Sequence, residues 1–271
     1  MSTAEDFRQS SVVLTKVDLR PRVPMWHPDL PFIVLSSQKA AATVTARWVF
    51  LQLGLLTDAM SKKSLRHTHQ FRLNVFQKRP HYMRDLIDAV RRGTSVIKFV
   101  RDPYARAYSI YLECCGTPRT AGTDTWFEMT RAEFYADTGA SFSFRKFLEW
   151  LVAKDMTTLN VHIRPQYMPR DDAMLARIVP IENLAAELAL LEREFSLPHS
   201  AKDHPEIFES GHHKNKTDMS RDEAIALLDQ PIPRQRPDDF PSVRFTRDLA
   251  KDTDFESLVA ACYPDDVARY G

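Results

Sequence analysis

An α/β fold with a parallel sheet flanked by helices is predicted by one local pattern that occurs twice and by the length of the chain. Phe32-Ile33-Val34-Leu35 and Val96-Ile97-Lys98-Phe99-Val100 are short apolar runs rich in β-branched residues, as buried strands are. Each is followed within a few residues by a helix start, and strands alternating with helices pair in parallel through crossovers. The 271 residues suffice for one α/β domain or two small ones. Residues 1–30 carry Pro21, Pro24 and Pro28 among charges and read as an irregular lead-in with a strand at 12–17; residues 31–271 then form a single domain.

Charge and cysteine usage narrow the function classes. With 37 basic and 36 acidic residues the net charge is +1, so no global field points to nucleic acid or an acidic membrane, and any anion site must be local. Cys114, Cys115 and Cys262 show no C-x-x-C spacing and read as reduced, packed thiols. No apolar run approaches a transmembrane span, and the first ten residues are polar and acidic, unlike a signal peptide; a cytoplasmic protein is the expectation.

After the first strand, Ser36-Ser37-Gln38-Lys39-Ala40-Ala41-Ala42 is a turn of small side chains around one lysine. From Thr43 the period becomes helical, with Val44, Trp48, Leu51 and Leu55 as the stripe and Gly54 as a stop. Strand, small-residue turn and helix aim free backbone N–H groups and the positive helix end at an anion, and Lys39 adds a mobile cation. A phosphate or sulfate ester is the natural ligand. The loop is not a Walker A motif, since it lacks both glycines and its lysine precedes the small residues.

In Leu65-Arg66-His67-Thr68-His69-Gln70-Phe71, alternation places His67 and His69 on one face of a strand or extended segment. Two such histidines can ligate zinc, but no Cys, Asp or Glu at suitable spacing completes a shell, so no metal is expected. A general base is the better functional reading, because imidazole titrates near neutral pH. Residues 80–92 read as a helix with Met83, Leu86, Ile87 and Val90 as its stripe, ended by Gly93.

The second strand runs into Arg101-Asp102-Pro103-Tyr104-Ala105-Arg106-Ala107-Tyr108-Ser109-Ile110-Tyr111. Asp102 before Pro103 is a cap followed by proline at the first helical position. Arg106 is placed to pair with Asp102 four residues earlier. Arg101 sits at the carboxyl end of its strand, where open α/β sheets bind ligands. Ser109 lies two turns beyond the cap, so guanidinium and hydroxyl can grip one phosphate, or Arg101 can form a structural ion pair.

Together these segments resemble the two cofactor signatures of the sulfotransferases that use 3′-phosphoadenosine 5′-phosphosulfate, particularly the carbohydrate-type branch. Gln38-Lys39-Ala40-Ala41-Ala42-Thr43 is similar to the family's P-K-x-[GA]-[CSA]-T, with alanine in place of glycine and Val44 in place of a frequent polar residue. Arg101, Asp102, Pro103, Tyr104, Arg106, Ser109 and Tyr111 match each fixed position of [VF]-R-[DE]-P-[FY]-x-R-x-x-S-x-Y. Val161-His162-Ile163-Arg164-Pro165-Gln166 resembles H-[WF]-x-P-Q, and Val179-Pro180-Ile181-Glu182-Asn183-Leu184 resembles a third strand ending in Y-E-N-L before an amphipathic helix (Leu184, Leu188, Leu191, Phe195). His213-Lys214-Asn215-Lys216-Thr217 is similar to a late H-x-N-x-T loop, and Tyr263-Pro264-Asp265-Asp266 with Tyr270-Gly271 to the closing Y-x-x-D-F-x-x-[FY]-G.

The resemblance implies a P-loop-NTPase-like sheet in a three-layer α/β/α arrangement, and sulfuryl transfer to an acceptor hydroxyl, on a carbohydrate or another small hydroxylated molecule. It implies that Lys39, Ala40, Ala41, Ala42, Thr43 and Val44 hold the 5′ end of the donor, that Arg101 and Ser109 hold its 3′-phosphate, and that Asn215, Lys216 and Thr217 lie over it. His69 is the expected base, ahead of His67, with His162 third, and no metal is required. A kinase-like phosphotransferase would need a magnesium-holding hydroxyl and an acidic strand end, and only Thr43 offers itself; an inactive nucleotide-binding scaffold is the other alternative. Residues 115–140 read as a solvated excursion or a substrate lid, and residues 142–152 as a helix packing Phe144, Phe147, Leu148 and Leu151.

Overall fold

The computed structural model describes residues 23–61, 65–115, 126–208, 219–232 and 243–271. In chain order its main elements are β1 (Phe32–Ser36), α1 (Ala42–Gln52), α2 (Leu56–Met60), α3 (Leu65–Phe71), α4 (Tyr82–Arg91), β2 (Ser95–Val100), α5 (Pro103–Cys114), α6 (Trp126–Thr138), α7 (Phe144–Val152), β3 (Leu175–Pro180), α8 (Leu184–Glu194), α9 (Arg221–Asp229), α10 (Asp254–Cys262) and α11 (Pro264–Tyr270). The expected strand at 12–17 lies outside the described residues. Among those residues no helix is long and apolar enough to cross a membrane. The chain divides into a sheet unit, residues 1–100 with 169–210, and a helical unit, residues 101–168 with 211–271.

In the sheet unit three strands pair in parallel in the order β1-β2-β3. Both strands read from the sequence are present, each within one residue of the expected bounds. Central β2 is buried from Val96 to Val100, including Lys98, as expected where both neighbours are strands and both faces are covered. Met25 bridges antiparallel to Val34, so the end of the lead-in is tied to β1. The core gathers on Trp48 of α1, whose ring stacks on Phe32 at 5.7 Å and meets Phe99 edge-on at 6.0 Å. Its indole N–H donates to the buried carboxylate of Glu192 in α8 at 2.9 Å, and that carboxylate also accepts from Ser200 N–H at 3.1 Å. The two N–H donors satisfy that buried oxygen.

Two expectations are corrected here. Helix α1 is buried from Val44 to Phe50 rather than along one stripe; it ends at Gln52, and Gly54 takes the left-handed φ of +69° just beyond it. The second correction bears on the site. Residues 65–71 are helical, not extended, and run on into a π-turn at Arg72–Phe76. Residues two apart on a helix point about 200° apart, so His67 and His69 do not share a face. A seven-residue run with few apolar positions fits either template, so alternation alone does not decide its period.

The helical unit has its own core, in which Tyr104, Tyr111, Phe134, Phe142, Phe144, Phe147 and Leu148 are all fully buried. Asp102 caps α5, accepting from Ala105 N–H at 2.7 Å, with Pro103 at the first helical position as expected. Helix α7 carries the expected Phe144, Phe147, Leu148 and Leu151 inward. The described part of residues 115–140 is not a solvated excursion. It is α6, which buries Phe134 and accepts the Trp150 indole N–H on Asp137 at 2.8 Å.

Candidate functional site

In the sheet unit the site is built on the turn between β1 and α1. Ser37 N–H still donates to Phe99 O, at 3.2 Å, and Ala40 N–H turns back to Ser37 O at the same distance. Lys39 and Ala41 then take left-handed backbone, with φ of 64° and 49°. For a residue with a Cβ each such turn costs roughly 1–2 kcal/mol, so the chain adopts a strained path where glycine would be at ease. Ala40 between them is wholly buried, whereas Lys39 is only half-buried. Ala41 is the residue that caps α1, and it has no side-chain acceptor to offer. The N–H groups of the first turn are therefore left to a partner from outside, at the positive end of an eleven-residue helix.

Thr43 stands in that first turn, and its hydroxyl lies 3.3 Å from His69 Nε2. Helix α3 makes this contact by burying Thr68, whose hydroxyl donates to Ala59 O and accepts from Arg47 Nε, both at 3.4 Å. With Thr68 inward, its neighbour His69 turns to the β1–α1 turn. His67 turns elsewhere: its Nε2 lies 3.2 Å from Asp58 O and 3.1 Å from Ser61 Oγ. Both contacts lie away from the β1–α1 turn.

The second signature sorts itself by burial in the helical unit. Tyr104, Arg106 and Tyr111 are about 1% exposed, while Arg101 and Ser109 are half-buried. Tyr111 O–H donates to Phe142 O at 3.0 Å, and burial raises its pKa far above the ordinary range. Burial likewise raises that of Tyr104, followed by the Glu256 charge. Arg106 donates to His162 O at 3.2 Å and to Arg164 O at 2.6 Å, and lies 3.8 Å from the buried Asp266 carboxylate. Three fixed positions of the signature thus hold the fold, and two on or beside α5 keep partial exposure.

Two residues that the sequence offers only as motif matches, Gln166 and Asp266, support Arg101. The Gln166 carboxamide accepts from Arg101 N–H at 2.9 Å and donates to Arg101 O at 2.7 Å. Asp266 accepts from Gln166 N–H and Tyr167 N–H at 2.8 and 2.7 Å. The P-Q and terminal Asp positions were the available signal; nothing in their spacing says what they touch. His162, the third base candidate, stacks flat on Trp126 at 4.4 Å, with Nδ1 2.8 Å from Asn160 Oδ1. Arg164 spends its Nε on Leu159 O at 2.7 Å.

Lys39, Ala40, Ala41, Ala42, Thr43, Val44, His67 and His69 all belong to the sheet unit; Arg101 and Ser109 belong to the helical unit. Asn215, Lys216 and Thr217 lie outside the described residues. Among the described residues no group of three or more His, Cys, Asp or Glu is placed to hold a metal. Compared with models of known families, residues 27–235 match the one described as the sulfotransferase family. The same comparison with curated proteins and with solved structures gives no match.

Proposed function

Because this chain belongs to the sulfotransferase family, we propose that it transfers a sulfuryl group from 3′-phosphoadenosine 5′-phosphosulfate to the hydroxyl of a carbohydrate or other small acceptor, with His69 as the base. The observation that carries this reading is the β1–α1 turn: a lysine and a threonine on an uncapped helix start, with an imidazole 3.3 Å from the threonine hydroxyl. The residues suit the donor. An open helix N-terminus with Lys39 beside it favours a group that gains negative charge as it leaves, and Arg101 with Ser109 suits a phosphate gripped by side chains.

In this reading Lys39 and the first-turn N–H groups hold the non-transferring oxygens and neutralise the charge that builds on the 5′-phosphate. The acceptor oxygen forms its bond to sulfur in line as the bond from sulfur to the bridging oxygen breaks, and the acceptor proton passes to His69. Adenosine 3′,5′-bisphosphate leaves. Thr43 orients His69 in the resting enzyme and is freed to meet the phosphate when the donor binds. Residues 31–271 act as one working domain of P-loop-like, three-layer design behind the lead-in of residues 1–30. The reading also includes Asn215, Lys216 and Thr217 as a cover for the nucleotide, and needs no metal ion.

The test is transfer of radiolabelled sulfate from the donor to a panel of hydroxylated glycans and small molecules. Labelled product with at least one acceptor class, formed in the presence of a chelator, is the expected result. Phosphoryl transfer from ATP and magnesium with no sulfate transfer, or nucleotide binding without turnover on any acceptor, would replace the reading with a kinase or an inactive scaffold.

A further inference from the structure

Arg101 is the first residue beyond β2, and one side chain satisfies both polar groups of its main chain. Gln166 is 3% exposed, and its amide oxygen takes the Arg101 N–H while its amide nitrogen serves the Arg101 carbonyl, at 2.9 and 2.7 Å. A carboxamide offers one acceptor and one donor side by side, as a neighbouring strand does, so the pairing is complete and its orientation fixed. The support behind Gln166 is equally closed. Asp266, wholly buried on α11, holds the N–H groups of Gln166 and Tyr167. Arg106, beside that carboxylate, holds the carbonyls of His162 and Arg164. On the other side of Arg101, Asp102 caps α5 and precedes a proline that restricts its backbone.

We propose that Gln166 is a positioning residue that sets the preference for nucleotides bearing a 3′-phosphate, by fixing the direction in which the Arg101 side chain leaves the main chain. The proposal rests on the assignment of Arg101 to that phosphate. A guanidinium sits at the end of a long flexible stem, so a small rotation at its root moves the charged group by far more. Arg101 with a loosened main chain still attracts any anion, but loses the alignment that a two-point grip on phosphate requires. The loss therefore falls on the increment that the 3′-phosphate adds, not on binding of the rest of the nucleotide.

Calorimetric titration of the full-length protein with adenosine 3′,5′-bisphosphate and with adenosine 5′-monophosphate tests this through the ratio of the two dissociation constants. Wild type should favour the bisphosphate, and Arg101→Ala should remove most of that preference. Gln166→Met should cut the ratio by about tenfold to a hundredfold, the worth of well-aligned hydrogen bonds to a charged group, while leaving the monophosphate constant unchanged. Gln166→Glu keeps nearly the same shape and the acceptor for Arg101 N–H but sets a carboxylate against the Arg101 carbonyl, so it should also lower the ratio. It serves as the measurement should the methionine variant not fold. A wild-type ratio in both Gln166 variants, or equal weakening of both ligands, would overturn the role of Gln166 while leaving Arg101 in place. A wild type indifferent to the 3′-phosphate would overturn the assignment of Arg101 itself.

Discussion

The strained backbone at Ala41 predicts that two neighbouring alanines respond to glycine with opposite signs. Ala41 sits at φ 49° and ψ 30°, in the left-handed region, whereas Ala42 is the first residue of α1 and helical. Replacing Ala41 with glycine removes a penalty of roughly 1–2 kcal/mol for a Cβ in that conformation. Against this, the extra freedom of glycine in the unfolded chain costs roughly 0.4–1 kcal/mol. The net is a stabilisation of about 0.5–1 kcal/mol. Ala42→Gly has no strain to relieve and should destabilise by about 0.5–1 kcal/mol. Urea denaturation followed by circular dichroism reads both, since each shifts the midpoint without changing the slope. The two variants should differ by about 1–2 kcal/mol once the two estimates are combined. Equal destabilisation by both substitutions would refute the left-handed cap and with it the outside-facing first turn.

Lys39→Ala should reduce turnover by about two to three orders of magnitude with an unchanged melting temperature, because Lys39 is half-buried and no part of the core; equal turnover in variant and wild type would remove it from the chemistry. Arg101→Ala should raise the donor KM more than it lowers kcat in steady-state assays. His69→Ala should lower kcat by about two to four orders of magnitude, and His67→Ala by far less; an unchanged rate for the His69 variant at neutral pH would move the base to His67 or His162. At Asp137, hydrogen bonds from Lys154 and then from the Trp150 indole hold the carboxyl below the ordinary aspartate range. A depressed folded pKa gives stability that is present above the unfolded value and is lost as pH falls through the folded one. Asp137→Asn should therefore lower the melting temperature at pH 7, and the gap to wild type should close in scans taken progressively below pH 4.

Much of the frame was legible because it is written in short-range chemistry. The strands at Phe32–Ser36 and Ser95–Val100 announce themselves by β-branched runs, and the start of α5 by Asp102-Pro103. What failed were features decided by tertiary contacts. His67 and His69 alternate on paper, but burial of Thr68 against Ala59 and Arg47 fixes a helix and sends the two rings apart. Helix α1 hides its whole circumference from Val44 to Phe50, so its apolar stripe understates its depth. Arg106 could be placed on the first turn of α5, yet its contacts with His162 O, Arg164 O and Asp266 lie 56, 58 and 160 positions away along the chain. Long-range polar pairing leaves no periodic trace, so Gln166 could be read as a motif match but not as the partner of Arg101.

The two βα repeats share a plan but differ at the helix start, and in the proposed function that difference gives each a separate way of holding an anion. In the second repeat Pro103 contributes no N–H and Asp102 has already taken that of Ala105. Part of the positive end of α5 is thereby answered from within, and in the proposed reading the side chains of Arg101 and Ser109 hold the anion there. In the first repeat Ala41 answers nothing, so α1 presents main-chain donors beside Lys39. Main-chain donors are fixed before any ligand arrives and cost no reorganisation as charge develops, which is what a leaving group requires. Side-chain donors can be aimed and tuned, which suits recognition of a phosphate that does not react. Truncating Arg101 and Ser109 together should then abolish one anion site outright. No single truncation can do the same at α1, where loss of Lys39 still leaves the N–H groups of the first turn in place.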